Sequence, residues 1–98
     1  MIISHWKPLD AGVLRGTFNL MLPSGMLIMG CMLFERDGEE WIGFPTSNQI
    51  DRDGRVRVDQ NGKRLREKII VVPDKARKAK FDDAVLSALS EFRQGRAA

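Results

Sequence analysis

The sequence contains one cysteine, Cys31, one histidine, His5, and no tyrosine. A single cysteine cannot form an intrachain disulfide, and secreted domains of this size usually carry several. One cysteine and one histidine are also too few for a structural zinc site. The longest apolar run, residues 26–34, is too short to cross a bilayer, and the N-terminus lacks the pattern of a signal peptide. We therefore expect one cytoplasmic domain over residues 1–98, without membrane contact.

Motifs that carry catalysis are also missing. Cys31 lies inside the apolar run, which favours a buried thiol over a nucleophile. No serine lies in a nucleophile-elbow motif, and the glycines form no phosphate-binding pattern. The segment Asp51–Gly54 resembles the start of a calcium loop, but the later ligands are absent. The sequence thus predicts no enzyme, no metal and no cofactor.

Charge is distributed unevenly along the chain. The formal net charge is +3, yet residues 1–50 carry three cations and five acids, whereas residues 51–98 carry thirteen cations and eight acids. Between Arg52 and Lys80 there are eleven cations and four acids. Such a block is typical either of a surface that faces a polyanion or of a solvated charged face without a partner.

The first half of the chain has the pattern of antiparallel strands. Residues 13–22 alternate apolar and polar side chains, as in a half-buried strand. Residues 26–34 follow a Pro-Ser-Gly turn and are apolar on both faces. One face can pack under a helix and the other needs cover, which predicts either a curved, barrel-like sheet or a dimer. A turn at Asp37-Gly38 then leads to a short strand over 40–44.

The middle of the chain predicts a basic hairpin. Residues 46–54 are polar and are expected to form a loop, and no internal repeat is apparent in the sequence. Asn61-Gly62 is a two-residue hairpin signal, so that residues 55–72 are expected to form a hairpin rich in cations.

An apolar stripe with helical spacing runs through the last part of the chain. It includes Phe81, Val85 and Leu89, and it predicts a helix between the N-cap Asp74 and Gly95. Strands followed by one helix indicate an α+β fold, with a strongly curved antiparallel sheet of about four to six strands and a C-terminal α-helix packed on it. The predicted strands cover 2–7, 13–22, 26–34 and 40–44, the hairpin 55–72, the helix 75–93 and a tail 94–98.

The first turns of this helix contain the cations Lys75, Arg77, Lys78 and Lys80. Positive charge there opposes the helix dipole, at a cost of about 0.3–1 kcal/mol per cation. Either the helix starts later, or a phosphate group is bound there by the cations and by free backbone amides, and we expect the second. Trp41, which precedes the polar loop, is a candidate for stacking on a base.

The order of these motifs resembles the SpoVG (stage V sporulation protein G) family of bacteria. The similar segments are the apolar strand 26–34, the turn Asp37-Gly38, the step Trp41–Pro45, Asp53-Gly54 in a polar loop, and Asp83–Leu86 after a basic helix start. The resemblance implies a small dimeric regulator that binds DNA or RNA, with Arg77, Lys78 and Lys80 at a basic helix entry and Arg52 and Arg55 in the polar loop. The segment between Gly54 and the helix is longer than in that pattern and contains the whole basic hairpin. The architecture is also similar to the single-stranded-DNA-binding coactivator and Whirly fold.

Together these features predict a non-enzymatic, homodimeric nucleic-acid-binding regulator, with DNA expected ahead of RNA as the partner. The alternative is a protein-interaction module of phage or plasmid origin that uses the apolar sheet face. Mild salt separates the two, since an apolar interface hardly responds to it. A small-ligand-binding dimer is a third option. The residues expected to contact nucleic acid are Arg52, Arg55, Arg57, Lys63, Arg64, Arg66, Lys68, Lys75, Arg77, Lys78 and Lys80, with Trp41 as the stacking candidate.

Overall fold

The structure is a computed structural model, and it describes residues 1–95. In chain order the elements are β1 (Ile2–Ala11), β2 (Leu14–Met21), β3 (Leu27–Arg36), β4 (Glu39–Gly43), β5 (Thr46–Asn48), β6 (Arg66–Lys68) and α1 (Lys75–Arg93). Four strands form one antiparallel sheet, and β5 and β6 form a second, small one. The predicted α+β fold is therefore confirmed. Within the described residues, no helix is both long and apolar enough to span a membrane.

Strands β1 to β4 form a meander, in which each strand pairs with the next one along the chain. The backbone N–H of Leu22 donates to the carbonyl of Met26 at 2.8 Å and closes the predicted Pro-Ser-Gly turn. Asp37 and Gly38 connect β3 to β4 with φ angles of 52° and 86°. Two consecutive positive φ angles are the conformation of a two-residue hairpin turn, as the Asp-Gly pair predicts.

One face of the meander packs against α1 and forms the core. Ile3, Leu20 and Ile28 lie side by side on three neighbouring strands and are at most 7% exposed. Val85 and Leu89 of α1 cover this face and are also buried. Burial of a side chain of this size stabilises the folded state by about 1.5–3 kcal/mol, so the contact between helix and sheet is a main source of stability.

Helix α1 begins and ends as predicted. The Asp74 carboxylate accepts hydrogen bonds from the backbone N–H groups of Ala76 and Arg77, at 2.8 and 3.2 Å. At the other end, the N–H of Gly95 donates to the carbonyl of Phe92 at 3.0 Å, and Gly95 has a φ of 78°. This left-handed conformation is common just after a helix, where glycine adopts it without strain. The basic residues thus lie inside the helix and not on a lead-in before it.

The opposite face of the meander, which we call the outer face, is turned away from α1. Ile2, Met21 and Leu27 form one row of side chains across β1, β2 and β3, and Phe34 pairs with Trp41 across β3 and β4. Ile2 is 65% exposed and Leu27 is 45% exposed. The sheet does not close into a barrel, so the second face of the apolar strand β3 is not covered by other strands of the sheet.

Three segments differ from the prediction. Strand β1 continues to Ala11, four residues beyond the expected end. Residues 46–48, predicted as a loop, form β5. Residues 69–72, predicted as the return strand of a hairpin, leave the ladder after Lys68, because Ile70 packs against the core instead. Residues 96–98 of the predicted tail lie outside the described residues.

Candidate nucleic-acid interface

Residues 46–68 form a compact arrangement of three short antiparallel ladders, which we call the three-hairpin unit. β5 pairs with β6, Ile50 pairs with Val56, and Val58 pairs with Arg64. The ladders meet in a ring of three backbone hydrogen bonds: Arg57 N–H to Gln49 carbonyl, Leu65 N–H to Arg57 carbonyl, and Gln49 N–H to Leu65 carbonyl, at 2.8–2.9 Å. The three positions in the ring follow one another along the chain at intervals of eight residues.

The ring exposes an internal repeat that the sequence analysis missed. Residues 49–56 and 57–64 align without a gap, with an Asp at the third position, Asp or Asn at the fifth, Gly at the sixth and Arg or Lys at the seventh. The two glycines, Gly54 and Gly62, have φ angles of 79° and 78°. The repeat is only eight residues long and few of its positions are identical, so a search for repeats of ordinary length does not find it.

The Asp of each repeat is bound inside its own turn. The Asp51 carboxylate accepts hydrogen bonds from the backbone N–H groups of Asp53 and Arg55, both at 2.9 Å. The equivalent Asp59 accepts from Asn61 and Lys63 at 2.8 and 3.0 Å. These Asx turns satisfy backbone donors at the hairpin tips. The turns hold these two carboxylates, and neither forms an ion pair with a cation of the unit, which carries seven cations and four acids.

The cations of the unit remain free. It contains seven, and none forms an ion pair with a carboxylate anywhere in residues 1–95. Residues 50–64 are all exposed. No residue of β5 or β6 approaches another described strand or helix within 8 Å between Cα atoms, so the unit projects from the main sheet. These seven residues, all predicted to contact nucleic acid, are Arg52, Arg55, Arg57, Lys63, Arg64, Arg66 and Lys68.

Gln49 holds the centre of the unit, and sequence analysis gave it no role. Its Oε1 accepts a hydrogen bond from Arg57 Nη1, and its Nε2 donates to the carbonyl of Arg66, both at 3.3 Å. Arg57 is therefore oriented by a neutral partner and forms no ion pair within residues 1–95. Gln49 lies two residues before Asp51, at the first position of the repeat, and this placement points to it only once the repeat has been recognised.

The helix entry offers fewer phosphate contacts than predicted. The carboxylate of Asp74 already occupies the backbone N–H groups of Ala76 and Arg77, which a phosphate would otherwise bind. The Lys78 ammonium donates to the Asp82 carboxylate, at 2.7 and 2.9 Å, and to the backbone carbonyl of Ile42, at 2.9 Å. Lys78 thus attaches the helix to the sheet. The remaining cations of the helix entry, Lys75, Arg77 and Lys80, are exposed.

A cleft of about 420 Å³ brings Trp41 together with two of the predicted cations. Its walls are the free edge of β4 and the segment after β6, and its lining includes Lys68, Lys78 and Trp41. Trp41 is half-buried and stacks on Phe34, with ring centroids 5.6 Å apart and planes 18° apart. One face of the indole is therefore taken by a neighbour within the chain. A second groove, lined by Arg66 and Met32 among others, runs between the three-hairpin unit and the outer face.

The environment of Cys31, which is the one cysteine of the chain, determines how reactive its thiol is. Cys31 is fully buried in the core, and this burial raises the pKa of its thiol from 9.0 to about 11. A thiol of this kind stays protonated at neutral pH and is a poor nucleophile. Across residues 1–95, no group of three or more His, Cys, Asp or Glu side chains is close enough to hold a metal ion.

Comparison with known proteins does not assign the chain to a family. No protein-family model, no curated protein and no solved structure matches the chain. Membership of the SpoVG family therefore stays a prediction, and the argument for the candidate site rests only on the residues described above.

Proposed function

We propose that this chain is a non-enzymatic nucleic-acid-binding protein and that the three-hairpin unit holds the phosphate backbone. The observation that carries the proposal is the set of seven unpaired cations on one projecting unit, two of whose acids are bound within its own turns. A structural ion-pair network would pair such cations with carboxylates, whereas a polyanion-binding surface leaves them free.

We expect fewer residues to contact the phosphate backbone than the sequence predicts. Arg55 and Lys63 occupy the same position of the two repeats, immediately after the glycine, and present their charges at equivalent hairpin tips. Lys75, Arg77 and Lys80 extend the basic surface from the helix entry. Lys78 has a structural role instead, because its three hydrogen bonds are made within the chain.

The test is binding of the purified protein to labelled single-stranded DNA, duplex DNA and RNA at low and moderate salt, followed by fluorescence anisotropy. We expect affinity to fall steeply as salt rises, since each phosphate contact releases counterions. The double variant Arg55→Gln/Lys63→Gln should lower affinity at least about tenfold and reduce the salt slope by about two.

Lys7→Gln/Arg36→Gln is the matched control, because it also removes one lysine and one arginine charge, at exposed residues of β1 and β3 outside the unit. It should leave affinity nearly unchanged. Equal losses for the control and the double variant would show non-specific attraction by net charge, and absence of binding to every nucleic acid at low salt would refute the proposal. In that case the apolar outer face would make the protein-interaction module the better interpretation.

A further inference from the structure

The cleft between the free edge of β4 and the segment after β6 has the composition of a small-molecule site. Its volume of about 420 Å³ lies within the roughly 300–1,000 Å³ that such sites occupy. Seven of its eleven lining residues have apolar or aromatic side chains, and none of the eleven is an acid. The two charged residues of the lining, Lys68 and Lys78, are both cations. The ligand that complements this lining is an anion with an apolar body.

The aromatic walls of the cleft are held in place by neighbours outside it. Trp41 stacks on Phe34, and the Phe44 ring lies 5.3 Å from the Phe81 ring of α1, measured between centroids. On the opposite wall, Ile70 packs against the core. Walls that are fixed before a ligand arrives need little ordering on binding, so less of the binding free energy is lost.

Only one of the two lysines in the cleft is free to bind an anion. Lys78 is already held by the Asp82 carboxylate, at 2.7 and 2.9 Å. Lys68, on β6, forms no ion pair with any carboxylate within residues 1–95. The cleft therefore presents one unpaired positive charge beside its apolar walls.

The backbone of Ile42 adds a second free donor to the cleft. Arg36 and Glu39 close a two-residue turn and form a hydrogen-bonded pair, and such pairs alternate with non-hydrogen-bonded ones along an antiparallel ladder. Ile42, three positions further on, therefore points its N–H and carbonyl away from β3, and the carbonyl accepts from Lys78. Ile42 is 2% exposed, and its N–H has no acceptor within the described residues. Buried backbone donors are normally paired, and an acceptor in the cleft would pair this one.

We infer that the cleft binds a small monocarboxylate with an aromatic or branched apolar body. The two oxygens of the carboxylate accept from the Lys68 ammonium and the Ile42 N–H, and the body packs against Trp41 and Phe44. One negative charge matches the one unpaired ammonium. A phosphate monoester would bring a second charge that nothing in the lining matches, and a neutral nucleobase would leave the ammonium unmatched. The inference concerns a different ligand from the proposed nucleic acid and does not depend on that proposal.

An NMR titration of the isotope-labelled protein with cinnamate, an aromatic monocarboxylate, tests the site. We expect half-saturation at about 1 mM or below, as for a small ligand that fits its site. The Ile42 amide proton should move downfield, because its N–H donates to the carboxylate. Cinnamyl alcohol has the same ring and chain without the charge, and it should bind at least about tenfold more weakly.

Lys68→Gln removes the free ammonium at an exposed position, so the fold should be unaffected. It should weaken cinnamate binding at least about tenfold, with an unchanged circular dichroism spectrum. Lys7→Gln is the matched control, because Lys7 is an exposed lysine on β1 that does not line the cleft. This variant should bind cinnamate like the wild type.

Four results would overturn the inference. The first is no binding of cinnamate at about 10 mM, and the second is equal weakening by the two lysine variants, which would indicate attraction by net charge. The third is equal affinity for cinnamyl alcohol and cinnamate. The fourth is a shift of the Ile42 and Lys68 amides with a thymidine oligonucleotide but not with cinnamate, because the cleft would then hold a base of the nucleic acid.

Discussion

The ammonium nitrogen of Lys78, on the first turns of α1, lies 2.9 Å from the carbonyl oxygen of Ile42, on the edge strand β4. The same ammonium forms an ion pair with Asp82 one helical turn later, and it lies 5.7 Å from the ring centroid of Phe44. The Lys78 side chain is 28% exposed and that of Asp82 is 14% exposed, so the pair is partly shielded from water. One side chain thus attaches the helix to the sheet and covers a free strand edge.

Lys78 should therefore matter for stability rather than for nucleic-acid binding, so its substitution should lower the free energy of unfolding. Lys78→Gln leaves the Asp82 carboxylate and the Ile42 carbonyl without their partner, which should reduce the free energy of unfolding by about 1–3 kcal/mol. Urea denaturation measures this. Lys80→Gln, at an exposed lysine two residues later, should change stability by less than about 0.5 kcal/mol. The reverse ranking of the two variants would mean that the ion pair is not formed in solution.

Gly16 is required by its contact with Trp6. The Trp6 ring lies directly over the Cα of Gly16, and a Cβ placed there would overlap three of its ring atoms. Trp6 is also held by Phe18 and by Arg93, whose guanidinium lies 5.2 Å from its ring centroid. Gly16→Ala should displace the indole, reduce the free energy of unfolding by about 1–3 kcal/mol and shift the tryptophan emission. Gly12→Ala is a control for emission, because a Cβ at Gly12 meets no atom within 4 Å; an unchanged emission spectrum in Gly16→Ala would contradict the contact.

The sequence predicts the main sheet and the helix well, because each depends on local signals. The alternation in β2, the Asp-Gly turn and the Asp74 cap all act within a few residues, and the structure has them where they were expected. These signals also settle the fold class, since strands followed by one helix leave few ways to form a core.

The three-hairpin unit was predicted poorly, for a physical reason. Asn61-Gly62 does mark a tight turn, but the strands it joins pair only at Val58 and Arg64, because the ring at Gln49, Arg57 and Leu65 divides the backbone hydrogen bonds among three ladders. A two-stranded hairpin and a three-ladder ring have the same local turn signals. The role of Lys78 was missed for a similar reason, since its partner Ile42 is 36 residues away and a charge count cannot distinguish a paired lysine from a free one.

The buried thiol of Cys31 should be unreactive in the native protein. Its pKa of about 11 lies above the 9.0 of an exposed cysteine, so at pH 8 it should react with a thiol reagent far more slowly in native protein than in urea-unfolded protein. Because the folded-state pKa is the higher one, this group should destabilise the fold as pH rises from about 9 through 11 and should have no effect below that window. Urea midpoints of wild type and Cys31→Ala across this range measure the difference. Rapid labelling at pH 8 would show that the core opens readily.

Substitutions of the two acids of the first hairpin tip distinguish two sources of nucleic-acid affinity. One is the net charge of the unit, and the other is the turn geometry that positions its cations. Asp51 accepts two backbone hydrogen bonds, whereas the carboxylate of Asp53 accepts none within residues 1–95. Each substitution, Asp51→Ala or Asp53→Ala, removes one negative charge from the unit. If net charge alone set affinity, both would strengthen binding equally.

We expect the two variants to diverge. Asp53→Ala should raise affinity a little and leave amide exchange in the unit unchanged. Asp51→Ala should weaken binding and speed exchange at Asp53 and Arg55, because loss of two hydrogen bonds, each worth about 1 kcal/mol, loosens the tip that positions Arg55. Hydrogen exchange and anisotropy on the same samples measure both effects. Equal strengthening by the two substitutions would show that the turns do not position the cations and that the unit attracts nucleic acid through its net charge.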